Sequence, residues 1–455
     1  MNKLAKSLSY AVIAQVISLF VSIFMSFFVS RFMPVAEFGY YQLFLFYSTY
    51  VGLFQLGVSE GVYLENGGNT LDQLKHEELK QLFLNTLLIE TILVLALYCT
   101  INAVTKDENK KNVILFIAFY ALTNLFVMFF GLLLQAVNLT EKYSRAVVVG
   151  KLFTLMLFFC LVIAKVFSYT WYCLVFLLGY MATGLIVCID CKDILKRKIK
   201  PKLVIIKRYK TVIAGASLLL SGLISSFIIG INRIYIEQFF GIEVFAKVSM
   251  ALSLCNFVIL FAIQVGMVMF PNIVLLDDSR QSQLYKKLNK YSSLLQPVFF
   301  IGYIPLKLIL SFWIPQYTES IRWMLLFVPY MIYEVKTQIM YNTYLKALRK
   351  EKTLFIINFV ALIICGAINY IVILISHSMI LMFWVIDLVM IVKSFLLSRM
   401  IEKRYGIDLS MKMVTEAVCC CASSYMVYSY FGVATVAAIV IMYGTYFIVF
   451  EKGAK

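Results

Sequence analysis

Charge and histidine are what this sequence has least of. Only 14% of its 455 residues are Asp, Glu, Lys or Arg, against about a quarter in ordinary soluble domains. The two histidines, His76 and His377, fall in predicted loops, which argues against a His-based metal site or general base within the apolar segments. No P-loop and no dinucleotide fingerprint occurs, so the chain is not expected to hydrolyse ATP or to carry a cofactor. The ten cysteines lie mostly inside apolar runs, as Cys160, Cys255 and Cys365 do, and the adjacent Cys419, Cys420 and Cys421 would point around a helix rather than at one another. They read as small packing residues and not as a disulfide framework. The first apolar run is long and no small-residue cleavage site follows it, so no removable signal peptide is expected.

What is present in excess is apolar: 62% of the chain is hydrophobic. Runs of roughly 20 apolar residues, the length that crosses a bilayer, recur from end to end. They predict an all-α integral membrane protein of about fourteen membrane-spanning helices. The expected spans are 8–30, 40–64, 82–104, 113–137, 146–166, 170–191, 211–236, 246–275, 289–311, 320–344, 353–376, 379–400, 412–431 and 433–450. The net charge of +17 would suggest a nucleic-acid partner in a soluble protein. Here the Lys and Arg residues sit in short loops between apolar runs and set topology instead, so no nucleic acid is expected. Nine of them lie in 192–210, from Lys192 to Lys210. The loops holding Lys142 and Arg145, or Lys346, Arg349, Lys350 and Lys352, are basic on the same side. The positive-inside rule then puts both termini in the cytoplasm.

The basic stretch also divides the sequence. Segment 1–191 holds six predicted helices, 192–210 is a cytoplasmic linker, 211–400 holds six more, and 412–451 adds a helix pair. The two sets of six align weakly as a direct repeat: Arg31-Phe32-Met33-Pro34-Val35-Ala36-Glu37-Phe38 lines up with Gln238-Phe239-Phe240-Gly241-Ile242-Glu243-Val244-Phe245. An even number of helices per unit makes such a repeat parallel, two six-helix lobes side by side, with the helix pair outside it.

Several polar residues sit where lipid would be costly. Gln15, Ser18, Ser22, Ser26 and Ser30 share one face of the first helix, and Ser217, Ser221 and Ser225, with Asn232 further on, one face of the seventh. Close helix packing and a polar wall on a cavity both explain such stripes. The tenth helix carries Tyr330, Glu334, Lys336, Gln338 and Tyr341, four of which (Tyr330, Glu334, Gln338 and Tyr341) run down one face. Glu334 and Lys336 are two residues apart and point about 200° away from each other, so at least one needs another partner. Glu90, Asp387 and Lys393 are further charges at membrane depth, Glu60 lies near a helix end, and Lys151 lies just inside the fifth helix. Such residues face protein or water, as buried ion pairs or along a transport path. Lys151 and Lys393 could also extend to the cytoplasmic interface. Pro271, Pro297, Pro305 and Pro329 fall in or beside helices eight to ten, as static kinks or as hinges.

Four segments resemble the Wzx-type polysaccharide flippases, relatives of the multidrug and toxic compound extrusion carriers. Arg31 to Tyr41 resembles their first outer loop. Leu56-Gly57-Val58-Ser59-Glu60-Gly61-Val62-Tyr63-Leu64 followed by Gly67-Gly68 resembles a segment of oligosaccharide flippases, although Asp often stands in place of Glu60 and a basic residue in place of Glu65. Trp313-Ile314-Pro315-Gln316-Tyr317 and Leu345-Lys346-Ala347-Leu348-Arg349-Lys350 resemble the loops around the tenth helix. Asn232-Arg233 stands where the family often has an Asp-basic pair. The resemblance implies a bacterial inner-membrane protein that is not an enzyme. Its substrate would be an undecaprenyl-diphosphate-linked oligosaccharide, destined for O antigen, capsule or another polymer, with polymerase machinery as a possible partner. Arg31, Arg233 and Lys336 would then be expected to hold the diphosphate, and Tyr330, Gln338 and Tyr341 the glycan. Glu60, Glu334, Asp387 and Glu90 are the carboxylates able to couple an ion. The competing classes are an extrusion-type antiporter, which would want an anionic cavity, and a membrane-embedded glycan polymerase, which would want a large outer loop. A structural scaffold fits poorly with so many buried charges.

Overall fold

The computed structural model describes residues 16–450 apart from 19, 23, 200–203 and 431, and among these all regular structure is helical. Gln15 of the first serine stripe therefore lies outside the described residues. In chain order the helices are α1 (Val16–Phe32), α2 (Val35–Ser48), α3 (Val58–Glu65), α4 (His76–Val104), α5 (Glu108–Ala136), α6 (Thr140–Ile163), α7 (Tyr169–Asp190) and the single turn α8 (Lys192–Leu195). Next come α9 (Tyr209–Phe240), α10 (Ile242–Val274), α11 (Asp278–Trp313), α12 (Thr318–Met324), α13 (Val328–Lys336) and α14 (Asn342–Ala347), then α15 (Glu351–Ser376), α16 (Met379–Tyr405), α17 (Ser410–Ser429) and α18 (Val433–Phe450). Nine of the described helices, α4–α7, α9–α11, α15 and α16, are long and apolar enough to cross a membrane. Large apolar side chains cover the outside: Leu275 and Phe312 are 84% and 85% exposed. Water does not tolerate such a surface, whereas hydrocarbon does. The chain is a multi-pass membrane protein.

Two expected helices are not continuous. The span 40–64 begins earlier, at Val35 behind the extended Pro34, and leaves the helix after Ser48. Leu56 (φ 53°) and Gly57 (φ 78°) turn it through the left-handed region before α3. The span 320–344 is broken by a 3₁₀ turn at Leu325–Phe327, restarts at α13 with Pro329 in its first turn, and passes through a π-helical turn at Thr337–Tyr341 into α14. Pro in a first turn removes a donor that has no partner there anyway. Conversely α11 starts well before 289, because the Asp277 side chain accepts from the Arg280 N–H and caps it.

The chain forms two compact units, Met1–Leu223 and Ile224–Lys455, with the division inside α9. The first has an aromatic-rich core of Phe83, Phe129, Phe130, Leu133 and Leu134. Two glycine contacts bring its backbones together. In one, Gly57 and Gly61 meet Gly215 and Thr211 of α9 main chain to main chain, with no space for a Cβ. In the other, α6 and α7 interlock reciprocally: a Cβ on Gly150 would strike the Thr183 hydroxyl, and one on Gly179 the Thr154 hydroxyl. Both hydroxyls bond the carbonyl four residues back in their own helix, Thr154 to Gly150 at 2.8 Å and Thr183 to Gly179 at 3.1 Å. Small residues permitting close approach are what hold helices together where no hydrophobic force acts.

The basic linker is tied down at its described ends. Lys80 donates to the Leu195 and Arg197 carbonyls at 2.6 and 2.7 Å, and Asn85 accepts from Val204 N–H at 2.8 Å. Arg208 donates to both Glu65 and Glu78. Partial burial works against its charge, yet the bonds to Glu78 and Glu65 hold its pKa above the usual value.

Candidate functional site

A cluster of buried polar and charged side chains belongs to the second unit and is built around α13. Glu334, 5% exposed, is held by three helices at once. Lys393 of α16 approaches its Oε2 to 3.1 Å; Gln338 and Ser225 donate to Oε1 at 2.6 and 3.4 Å. Gln338 in turn accepts from Asn342 at 3.0 Å. One turn earlier, the backbone N–H of Tyr330 donates to Asp387 Oδ1 at 2.9 Å, while Oδ2 is buried without a partner among the described residues. Tyr330 lies in the first turn of α13, where main-chain donors are open to partners outside the helix.

Lys336 points elsewhere, as its two-residue offset from Glu334 requires. Its Nζ lies 2.5 Å from Glu416 of α17 and 5.7 Å from the Tyr333 ring centroid. Gln296 of α11 donates to the same Glu416 oxygen, and Tyr443 of α18 donates to Gln296 at 3.0 Å. Glu334 and Lys336 thus each have their own partner, on opposite sides of one helix. Glu416 and Lys336 are each 1% exposed. A pair buried this deeply survives because attraction at low dielectric offsets the loss of hydration, and the loss of either member strands the other.

The remaining expected residues are not gathered here. Tyr341 departs from the face of Tyr330, Glu334 and Gln338: the π-turn inserts one extra residue, and Tyr341 packs with Tyr285, Tyr344, Leu397 and Ile401. Arg233 lies 5.0 Å from the Phe245 ring centroid and donates to the Ser249 hydroxyl at 2.8 Å. Asn232 beside it donates to Cys365 and accepts from Asn369 at 2.5 Å. Arg31, Glu60 and Glu90 belong to the first unit. Arg31 is exposed at the end of α1, Glu60 is in the first turn of α3 and 9% exposed, and Glu90 of α4 is fully buried, with neither oxygen hydrogen-bonded among the described residues. Glu416 was not foreseen. The signal for it was the unpaired Lys336, which called for an acid in mid-helix, and Glu416 is the one acid in α17.

No protein-family model and no curated protein sequence matches the chain. Two solved structures are similar to it over most of their length. The lipid II flippase MurJ, in an inward closed conformation, is similar with a TM-score of 0.60, at 13% identity, over 99% of this chain and 99% of that one. A multidrug resistance MATE family transporter of the MOP superfamily, in an inward-facing conformation, is similar with a TM-score of 0.59, at 12% identity, over 86% of this chain and 99% of that one. The chain shares its fold with these two proteins, and at such identities the likeness shows the fold alone.

Proposed function

We propose that the protein is a flippase that carries an undecaprenyl-diphosphate-linked oligosaccharide from the inner to the outer leaflet of a bacterial cytoplasmic membrane by alternating access. The resemblance of four segments to polysaccharide flippases carries this reading, and a fold shared over 99% of the chain with a lipid II flippase supports it. A dianionic linker and a polar glycan cannot cross hydrocarbon unaided. Cationic and aromatic side chains suit them, Arg233 and Arg31 for oxyanions and Tyr330 and Gln338 for hydroxyl-rich rings; Lys336 would have to leave Glu416, and Tyr341 its packed cluster, to join them. A polymerising enzyme would consume the product on the far side.

The gradient-coupling role divides among the carboxylates. Glu334 already has Lys393 against it. Glu90 keeps two buried oxygens, and Asp387 and Glu60 one each, without a partner among the described residues, which makes these carboxylates the places for a travelling proton or Na⁺. The test is flipping of a labelled lipid-linked oligosaccharide by purified protein in liposomes, with and without an imposed pH or Na⁺ gradient. Transfer of label to the outer leaflet supports the reading. Gradient-driven uptake of a cationic dye with no lipid transfer would replace it with drug antiport.

A further inference from the structure

One cation of the first unit, Lys151, has no counter-charge among the described residues. Lys151 of α6 is half-buried, and its Nζ contacts the Ser22 hydroxyl at 3.4 Å and the Phe176 ring at 5.4 Å from the centroid. No described carboxylate pairs with it, and the sequence has none before Glu37. Unlike Lys336 and Lys393, which each meet a buried acid, this ammonium faces a cavity of about 220 Å³. Ser18, Tyr143, Phe176 and Tyr180 are among its walls. Phe176 and Tyr180 stack at 5.8 Å with their planes 20° apart, forming one aromatic side.

The placement is fixed by backbone. Lys151 follows Gly150, and Phe176 and Tyr180 flank Gly179, so the α6–α7 interlock sets the cation and the aromatic wall at a constant separation. The serine stripe of α1 supplies the third side. A cation half out of water with no anion of its own is an unfavourable arrangement for folding alone, and strain of this kind persists where a ligand uses it. The volume exceeds the ~30 Å³ share of one water and is below the ~300–1,000 Å³ of drug-sized pockets. It fits a head group, not a whole lipid-linked saccharide.

We propose that this cavity is an anion seat, in which Lys151 Nζ binds a phosphate-class oxyanion and Phe176 and Tyr180 receive the adjoining sugar ring. The inference rests on the flippase reading for the identity of the anion, and the seat itself can be tested without it. Purified full-length protein in nanodiscs is titrated with inorganic pyrophosphate, an undecaprenyl-diphosphate-linked saccharide and an uncharged polyprenyl saccharide, using wild type, Lys151→Met and Lys151→Arg. Lys151→Met is expected to weaken both anionic probes by about tenfold or more, Lys151→Arg to stay within about threefold of wild type, and the uncharged probe to be unaffected. Lys151→Met should also melt at or above the wild-type temperature, because it replaces an unpaired charge with an apolar stem of similar length. Unchanged affinity for both anionic probes in Lys151→Met overturns the seat, as does a large drop in its melting temperature, the mark of a structural role. Lys151-dependent binding of pyrophosphate, with no binding or flipping of the lipid-linked saccharide, keeps the seat and removes the flippase reading. Flipping at the wild-type rate by Lys151→Met does the reverse.

Discussion

Lys336 and Glu416 meet at 2.5 Å, each 1% exposed, and through Gln296 and Tyr443 their contact joins α13 to α11, α17 and α18. The last helix pair is therefore bonded to the middle of the second unit by charge as well as by packing. Lys336→Met should cost about 3–5 kcal/mol, because it leaves Glu416 buried and alone, while Lys336→Met with Glu416→Leu should recover most of that loss. Thermal unfolding in detergent measures both. If the double variant is stable and still does not export glycan, Lys336 acts on substrate; if it exports normally, the pair is structural.

Asp387→Asn should keep its bond from Tyr330, since an amide oxygen also accepts, and so should fold normally. Glu90→Gln should fold as well. Liposome flipping would then proceed in both without a gradient, and the acceleration by an imposed pH or Na⁺ gradient should vanish in whichever carries the coupling. Acceleration undiminished in both variants would take these two carboxylates out of the mechanism.

Much of this was legible in the chain. Run lengths gave the long helices, and the offset between Glu334 and Lys336 showed that each needed its own partner. The π-turn was not legible, because it is a backbone defect with no residue signature, and it moved Tyr341 to another face. Lys151 was read as a side chain that could reach the interface; the pattern that fixes it, glycine then threonine four residues on at both 150/154 and 179/183, was visible but unremarkable until the two helices were placed together.

Gly150→Ala should destabilise the first unit by about 1–3 kcal/mol, as overpacking does, and Gly150→Ala with Thr183→Ala should recover part of it by removing the hydroxyl the new methyl meets. Melting curves of the single and double variants decide; equal losses in both would mean that the helices simply part.

The positive-inside rule predicts cytoplasmic termini, with 192–210 in the same compartment. In a cysteine-free background, Lys196→Cys or Arg197→Cys should escape an impermeant maleimide in intact cells and react once the membrane is permeabilised. Labelling in intact cells would invert the topology.

The seam of Gly57 and Gly61 against Thr211 and Gly215 bears on how the chain is made. The ribosome delivers α3 roughly 150 residues before its partner at the start of α9, and synthesises α4–α7 and the basic stretch in between. Until residue 216 has left the exit tunnel, the groove beside α3 is unfilled. A fragment released at 191 would enter the bilayer without its last piece. Two-plasmid complementation should therefore need a second fragment that begins before 209, so that α9 enters the bilayer whole and brings Thr211 and Gly215 to the groove.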